Sequence, residues 1–297
     1  MKHLFLTILL LLSVAGNKVL SQTVIEIKPL FEYPVAPEDQ ESLVDKCNYL
    51  VRHFWENFDF KNKQPVDQYA LNEAFQVYTT PMRYANKKEV DQSVDKLIGK
   101  ISGNSLMLLQ FMKAAEENLY GPRADFWSDD LYLKFLDAII KNKKISDSRK
   151  SRYIQQASTI RSSSEGSTAP SFDFTDVNGN LKNYFPMSTP TLIIIGDPED
   201  TDWRLARLKL ESNFKLSDAL EKGKVNILYI IPTLSENWEK MVSNYNSHWS
   251  VGLSADISKQ YDVRVLPSIY LVGSDGKILF KNISLQEAVD SLLGNLN

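Results

Sequence analysis

The chain of 297 residues has a single cysteine, Cys47, and only three histidines. One cysteine excludes any intramolecular disulfide, so this is no disulfide-stapled scaffold. His53 and His248 lie far apart in sequence and bring no cysteines or paired acids with them. Neither a zinc site nor a catalytic triad can be read from them, and both are taken as structural. Glycine-rich phosphate loops, serine nucleophile elbows and paired catalytic carboxylates are missing at any recognisable spacing. Basic charge is not in excess either. Against 34 Lys and Arg stand 37 Asp and Glu, a net charge of −3, which argues against nucleic acid as a partner. Past the first residues, no apolar run approaches the roughly 20 residues of a membrane-spanning helix.

What is there begins with an export signal. Lys2 and His3 are followed by an apolar run from Leu4 to Ala15 and then Val19-Leu-Ser21. A basic start, a short apolar centre and a small residue at the end read as a signal peptide over residues 1–21, cleaved after Ser21. No cysteine stands at the cleavage site, which argues against a lipoprotein anchor. The expected location is periplasmic or secreted. Lys2 and Lys18 leave with the signal, so the net charge becomes about −5.

Residues from Thr23 to about Pro37 read as extended. Helical spacing follows. Leu43, Cys47, Leu50, Val51, Phe54 and Phe58 make one stripe, and Glu38-Asp39 stands where the helix dipole favours acids. Val90, Val94, Leu97, Ile98 and Ile101 make a second stripe. Leu106, Leu109, Met112, Ala115 and Leu119 make a third, and Leu131, Phe135, Leu136, Ile139 and Ile140 a fourth. Gly103-Asn104 and Gly121-Pro122 interrupt them. Residues 22–160 are therefore expected to be an irregular helical domain. Cys47 lies on an apolar stripe, so a buried, inert thiol is the expectation. Arg161 to Thr168, rich in serine, reads as a polar linker.

The composition then changes. Ser171 to Thr175 and Leu181 to Phe185 flank an Asn178-Gly179 turn. Leu192 to Ile195 is a β-branched apolar run, hence a buried strand. Gly196-Asp197-Pro198 turns the chain, and acids before a run of helix formers mark a helix start near Asp200. Trp203 to Leu220 is expected to be one helix, ending at Gly223. Val225 to Ile231 reads as a second buried strand, Glu236 to Tyr245 as a helix, and Ile257 to Tyr261 as a helical turn. Ser268 to Val272 and Lys277 to Phe280 form a hairpin. Leu285, Val289, Leu292 and Leu296 give a last helix one apolar face.

Ala169-Pro-Ser-Phe-Asp-Phe-Thr-Asp-Val-Asn-Gly179, the Gly196–Asp200 corner and Val265-Leu-Pro267 together resemble the thioredoxin-like fold, in its secreted TlpA- and peroxiredoxin-like branch. The resemblance implies an α/β domain over 169–297, a central sheet flanked by helices, behind an N-terminal all-α domain. That first domain, through His53–Phe60 and Trp127–Tyr132, is similar to an uncharacterised helical domain found ahead of thioredoxin-like domains in secreted Bacteroidetes proteins. The family keeps a Cys-x-x-Cys at the corner. Here those two positions fall on Asp200 and Trp203. Thiol–disulfide exchange needs an attacking and a resolving thiol, so the expectation is a non-enzymatic protein with no cofactor. The acids Asp197, Glu199, Asp200 and Asp202 lack the pattern of a calcium loop and read as a helix-capping face. The resemblance places a cis-proline at Pro267, with Leu266 free to pair its backbone with an extended chain. The expected partner is a protein or extended peptide. Its groove would comprise Asp200, Thr201, Asp202, Trp203, Leu266 and Pro267, walled by Trp203 and floored by Leu266-Pro267. The alternative is a component of a thiol–disulfide oxidoreductase system, acting through Cys47 or a partner chain.

Overall fold

A computed structural model of the chain describes residues 29–294 except 187, 235 and 237. The segment read as a signal peptide lies outside the described residues.

The helical domain starts from a cap. Ser42 accepts the Asp45 amide at 3.0 Å, satisfying one of the donors that the first turn leaves free. Helix α1 (Leu43–His53) follows. It is shorter than its apolar stripe suggested. Leu43 is exposed, and Phe58 lies beyond the helix end. Phe54, Trp55 and Phe58 are nevertheless buried, packed edge-on against Phe31, Tyr78 and Phe111, with Phe75 tilted against Trp55. The extended N-terminal residues thus join the core through Phe31. Helices α2 (Gln68–Thr79), α3 (Lys87–Ile101), α4 (Ser105–Ala115), α5 (Asp129–Lys141) and α6 (Asp147–Ser162) complete the domain, with a π-helical turn at Glu116–Tyr120. No stripe read from the sequence corresponds to α2 or α6. Helix α2 buries Leu71, Ala74, Phe75 and Tyr78. Helix α6 buries Lys150, Tyr153, Ala157, Thr159 and Ile160, a mixed face that weakens its periodic signal.

The second half is one seven-stranded sheet in the order β2-β1-β5-β4-β3-β6-β7. Its strands are β1 (Phe172–Asp176), β2 (Leu181–Tyr184), β3 (Thr191–Ile195), β4 (Asn226–Ile231), β5 (Ser250–Leu253), β6 (Ser268–Val272) and β7 (Ile278–Lys281). Central β3 runs parallel to β4 and antiparallel to β6, and it is buried along its length, as its apolar run requires. Alternate residues feed two cores. Leu192, Ile194 and Tyr229 face one, Ile193, Ile195 and Ile230 the other. The single helix expected from Trp203 to Leu220 is two, α7 (Thr201–Glu211) and α8 (Phe214–Glu221). Ser212 ends the first, and Asn213 caps the second, accepting the Leu216 amide at 3.1 Å. The helix expected over Glu236 to Tyr245 is only α9 (Trp238–Met241). Strand β5 was not legible. Helix α10 (Leu285–Gly294) closes the domain.

The stretch read as a linker is built into the second domain. Helix α6 extends to Ser162, and Ser163 is fully buried. Gly166 donates to Ile278 and Ile278 to Ser167, at 2.8 and 2.9 Å. Ala169 then donates to Gly276 at 2.9 Å. Beside this seam the two domains share a buried charge cluster. Arg264 pairs with Asp262 and, at 2.5 Å, with Asp129 of the helical domain. Lys281 reaches Asp129 at 2.5 Å and Asp262 at 3.2 Å. Tyr120 donates to Asp262 at 2.7 Å, and its ring lies 4.2 Å from the Arg264 guanidinium. Burial alone would push the Asp262 carboxyl up, but Arg264 and Lys281 beside it hold it below the ordinary carboxylate range.

Candidate functional site

The site is built where β3 ends. Gly196 donates to Ile230 at 3.0 Å, carrying the sheet one residue further. A Cβ on Gly196 would stand 3.1 Å from the Tyr229 hydroxyl and 3.5 Å from Pro267. The corner therefore passes tightly between β4 and the loop before β6, and glycine suits that approach. Asp197 accepts the Glu199 amide at 2.9 Å, an Asx turn that reverses the chain. Asp200 accepts the Trp203 amide at 2.6 Å and is the N-cap of α7. Its carboxylate thus does the capping work expected of the acidic cluster. Thr201 and Asp202 are exposed on the first turn, where a negative charge interacts well with the helix dipole.

Trp203 does not wall a groove. It is 1% exposed and stacks on Tyr229 at 4.8 Å with an interplanar angle of 9°. Its indole N–H donates to the Tyr245 hydroxyl at 2.9 Å. Tyr245 is held in turn by the Arg207 guanidinium, 4.4 Å from its ring, and by Trp249, edge-on at 5.9 Å. The reason is the spacing within α7. Trp203, Arg207 and Leu210 share the face that turns to the sheet, so the indole goes inward and fills the ground beneath the corner. Burial pushes the Tyr229 and Tyr245 phenols up. Neither tyrosine nor Arg207 was singled out from the sequence. Their only signal there was membership of apolar or helical runs.

Across the corner, Ile195 pairs with Ser268, which sets Val265-Leu266-Pro267 beside Gly196. The Leu266–Pro267 bond is cis, as the family resemblance implied. Leu266 is 47% exposed. Among the described residues its backbone N–H and C=O have no hydrogen-bond partner. Ser268 donates its hydroxyl to the Val265 carbonyl at 2.5 Å, and Arg264 anchors the loop in the charge cluster at the domain junction. Asp200, Thr201, Asp202, Leu266 and Pro267 are thus brought to one corner, with Trp203 underneath them. The junction residues Asp262 and Arg264 went unread. Two opposite charges within the Tyr261–Pro267 segment were the available sign.

The one thiol lies elsewhere. Cys47 is on α1 in the helical domain, 5% exposed, and burial pushes its pKa up. A buried, protonated thiol is a poor nucleophile, which weighs against a mixed disulfide through Cys47. Among the described residues, no group of three or more His, Cys, Asp or Glu is placed to hold a metal ion. Among the same residues, no helix is long and apolar enough to cross a membrane.

Comparison with known proteins supports both halves. A family model described as a domain of unknown function (DUF5106) matches residues 14–163. No curated protein matches the chain. Among solved structures, a thioredoxin-like protein from Bacteroides caccae is similar over 90% of this chain and 99% of its own, at 18% identity and a TM-score of 0.70. That likeness shows the fold of both domains together. A protein of unknown function from Bacteroides fragilis covers 44% of this chain and 99% of its own, at 24% identity and a TM-score of 0.41. The thioredoxin domain of a thiol-disulfide oxidoreductase from Bacteroides vulgatus covers 45% and 99%, at 21% identity and a TM-score of 0.40.

Proposed function

From a chain that belongs to the DUF5106 family and carries behind that domain a thioredoxin-like fold with no cysteine pair, we propose an exported, redox-silent module that binds a protein or extended peptide. The observation that carries this reading is the open backbone of Leu266 beside a corner without a thiol. An extended chain can add to such an edge by main-chain hydrogen bonds, with side chains supplying selectivity. Asp200, Thr201 and Asp202 line the approach with exposed polar groups, and Trp203 stiffens the floor from below. The corner cannot attack or resolve a disulfide, because a carboxylate is no substitute for a thiolate in exchange. Binding is what such a scaffold can still do.

Two measurements test this. The purified chain should not accelerate insulin reduction by dithiothreitol. Thiol-dependent reduction that disappears in Cys47→Ser would overturn the reading. Peptides selected from a random displayed library against the chain should protect the Leu266 amide from hydrogen exchange. Selected peptides that leave Leu266 exchanging as before, while protecting amides elsewhere, would place binding outside this edge.

A further inference from the structure

The segment that carries Leu266 is held at both ends. On one side Ser268 begins β6 and donates its hydroxyl to the Val265 carbonyl. On the other stands Arg264, whose side chain is 1% exposed. Three of the groups that hold it come from the helical domain. Asp129, the first residue of α5, accepts from its guanidinium at 2.5 Å. The rings of Tyr120 and Trp127 lie 4.2 and 5.5 Å from the guanidinium carbon. Tyr120 also donates to Asp262 at 2.7 Å, the acid that Arg264 shares with Lys281. The two cations of this cluster meet two carboxylates only when Asp129 is counted.

We propose that the helical domain is the positioning half of the binding site: through Asp129, Tyr120 and Trp127 it fixes Arg264, and Arg264 fixes the Leu266 edge. This rests on the reading of that edge as the place where an extended chain adds. Without Asp129, Arg264 and Lys281 would have Asp262 as their one carboxylate among the described residues. An uncompensated buried charge is expensive. Arg264 then turns toward water, and the chain two residues before Leu266 goes with it. An incoming strand pairs best with an edge already held in line, because ordering that edge on binding costs affinity. The coupling is reciprocal, so a chain bound at Leu266 tightens the junction by the same factor. Asp129 is a positioning residue that acts through Arg264.

The test compares Asp129→Ala with Ile139→Val, a mild loss at a buried position of the helical core, ten residues and roughly 15 Å along α5. Nuclear magnetic relaxation of the free, full chain reads the Leu266 amide. Its order parameter should be near about 0.85 in the wild type and in Ile139→Val, and should fall toward about 0.6 in Asp129→Ala. Tyr120→Phe keeps the ring over Arg264 and loses only the bond to Asp262, so its fall should be smaller. Circular dichroism checks folding, and Tyr120→Phe decides the question where Asp129→Ala does not fold. Asp129→Ala should also weaken, at least about fivefold, a peptide selected against the wild type. Combined with Arg264→Met, it should weaken that peptide no more than Arg264→Met alone. A Leu266 amide already loose in the wild type, or unmoved by Asp129→Ala and Tyr120→Phe, would overturn the proposal. So would an equal fall in Ile139→Val, or losses that add in the double variant. Where no peptide protects Leu266, the reading of the edge fails, and the relaxation comparison still decides whether the helical domain holds it.

Discussion

Two acid-bearing regions of the second domain invite comparison. At the corner, Asp197, Glu199, Asp200 and Asp202 lie in water and act locally, turning the chain and capping α7. At the domain junction, Asp262 is 1% exposed and is bound by Arg264, Lys281 and Tyr120. The chemistry of the carboxylate is the same, and solvent decides its consequence. A solvated acid can be exchanged at little cost. A buried one depends on every partner, because each unpaired charge left in the interior is expensive. The corner is thus free to change its function, whereas the junction is bound to its structure.

The sharpest way to break that contrast is Arg264→Met. It leaves Lys281 as the one cation on Asp262 and should cost about 3–5 kcal/mol, the usual result of removing one partner from a buried pair. Chemical denaturation measures it, and a loss below about 1 kcal/mol would mean that the junction behaves like a surface. Trp203→Ala probes the buried part of the corner. Emptying the space over Tyr229 should cost about 3 kcal/mol or more and remove the near-ultraviolet dichroism of the stacked pair.

Acid should distinguish the two regions next. Asp262 has a folded pKa below its ordinary 3.8, so its contribution is complete above that value and is lost as pH falls through the folded value. Stability measured from roughly pH 5 downward should decline by up to about 1.4 kcal/mol per pH unit on its account. Asp262→Asn, less stable overall, should show a flatter decline. The smallest effect belongs to the cap. Asp200→Ala should cost about 1 kcal/mol, while Asp200→Asn, which caps without charge, should restore most of it. A charge-dependent loss instead would mean that the dipole, not the hydrogen bond, does the work at this corner.

Much of this was legible in the sequence, for reasons visible in particular residues. The run Leu192–Ile195 is buried on both faces, so its strand signal is undiluted. Gly179 sits at positive φ in the turn read for it, and Gly223 at positive φ where a helix was read to end. Strand β5 escaped because it has four residues and includes Gly252, a poor strand former chosen by packing. A Cβ there would lie 2.3 Å from the Phe174 ring. Helix α7 separated from α8 because Asn213 offers its side chain to a new helix start, a local choice that periodicity alone does not register. Trp203 was misplaced because its role was taken from a family's groove rather than from its own helical face. The pairing at the junction could not be read. Arg264 and Asp129 are separated by 135 residues in the chain, and Tyr120 and Asp262 by 142.

The seam at Gly166–Ala169 bears on how this protein can be taken apart. The chain between its two halves already lies as a fringe on the β6–β7 hairpin, bonded through Gly276 and Ile278, so a protease finds no slack loop there to cut. A chain begun after Ser163 would be a second half in which Arg264 and Lys281 keep Asp262 but lose Asp129, two cations facing one anion on newly wetted ground.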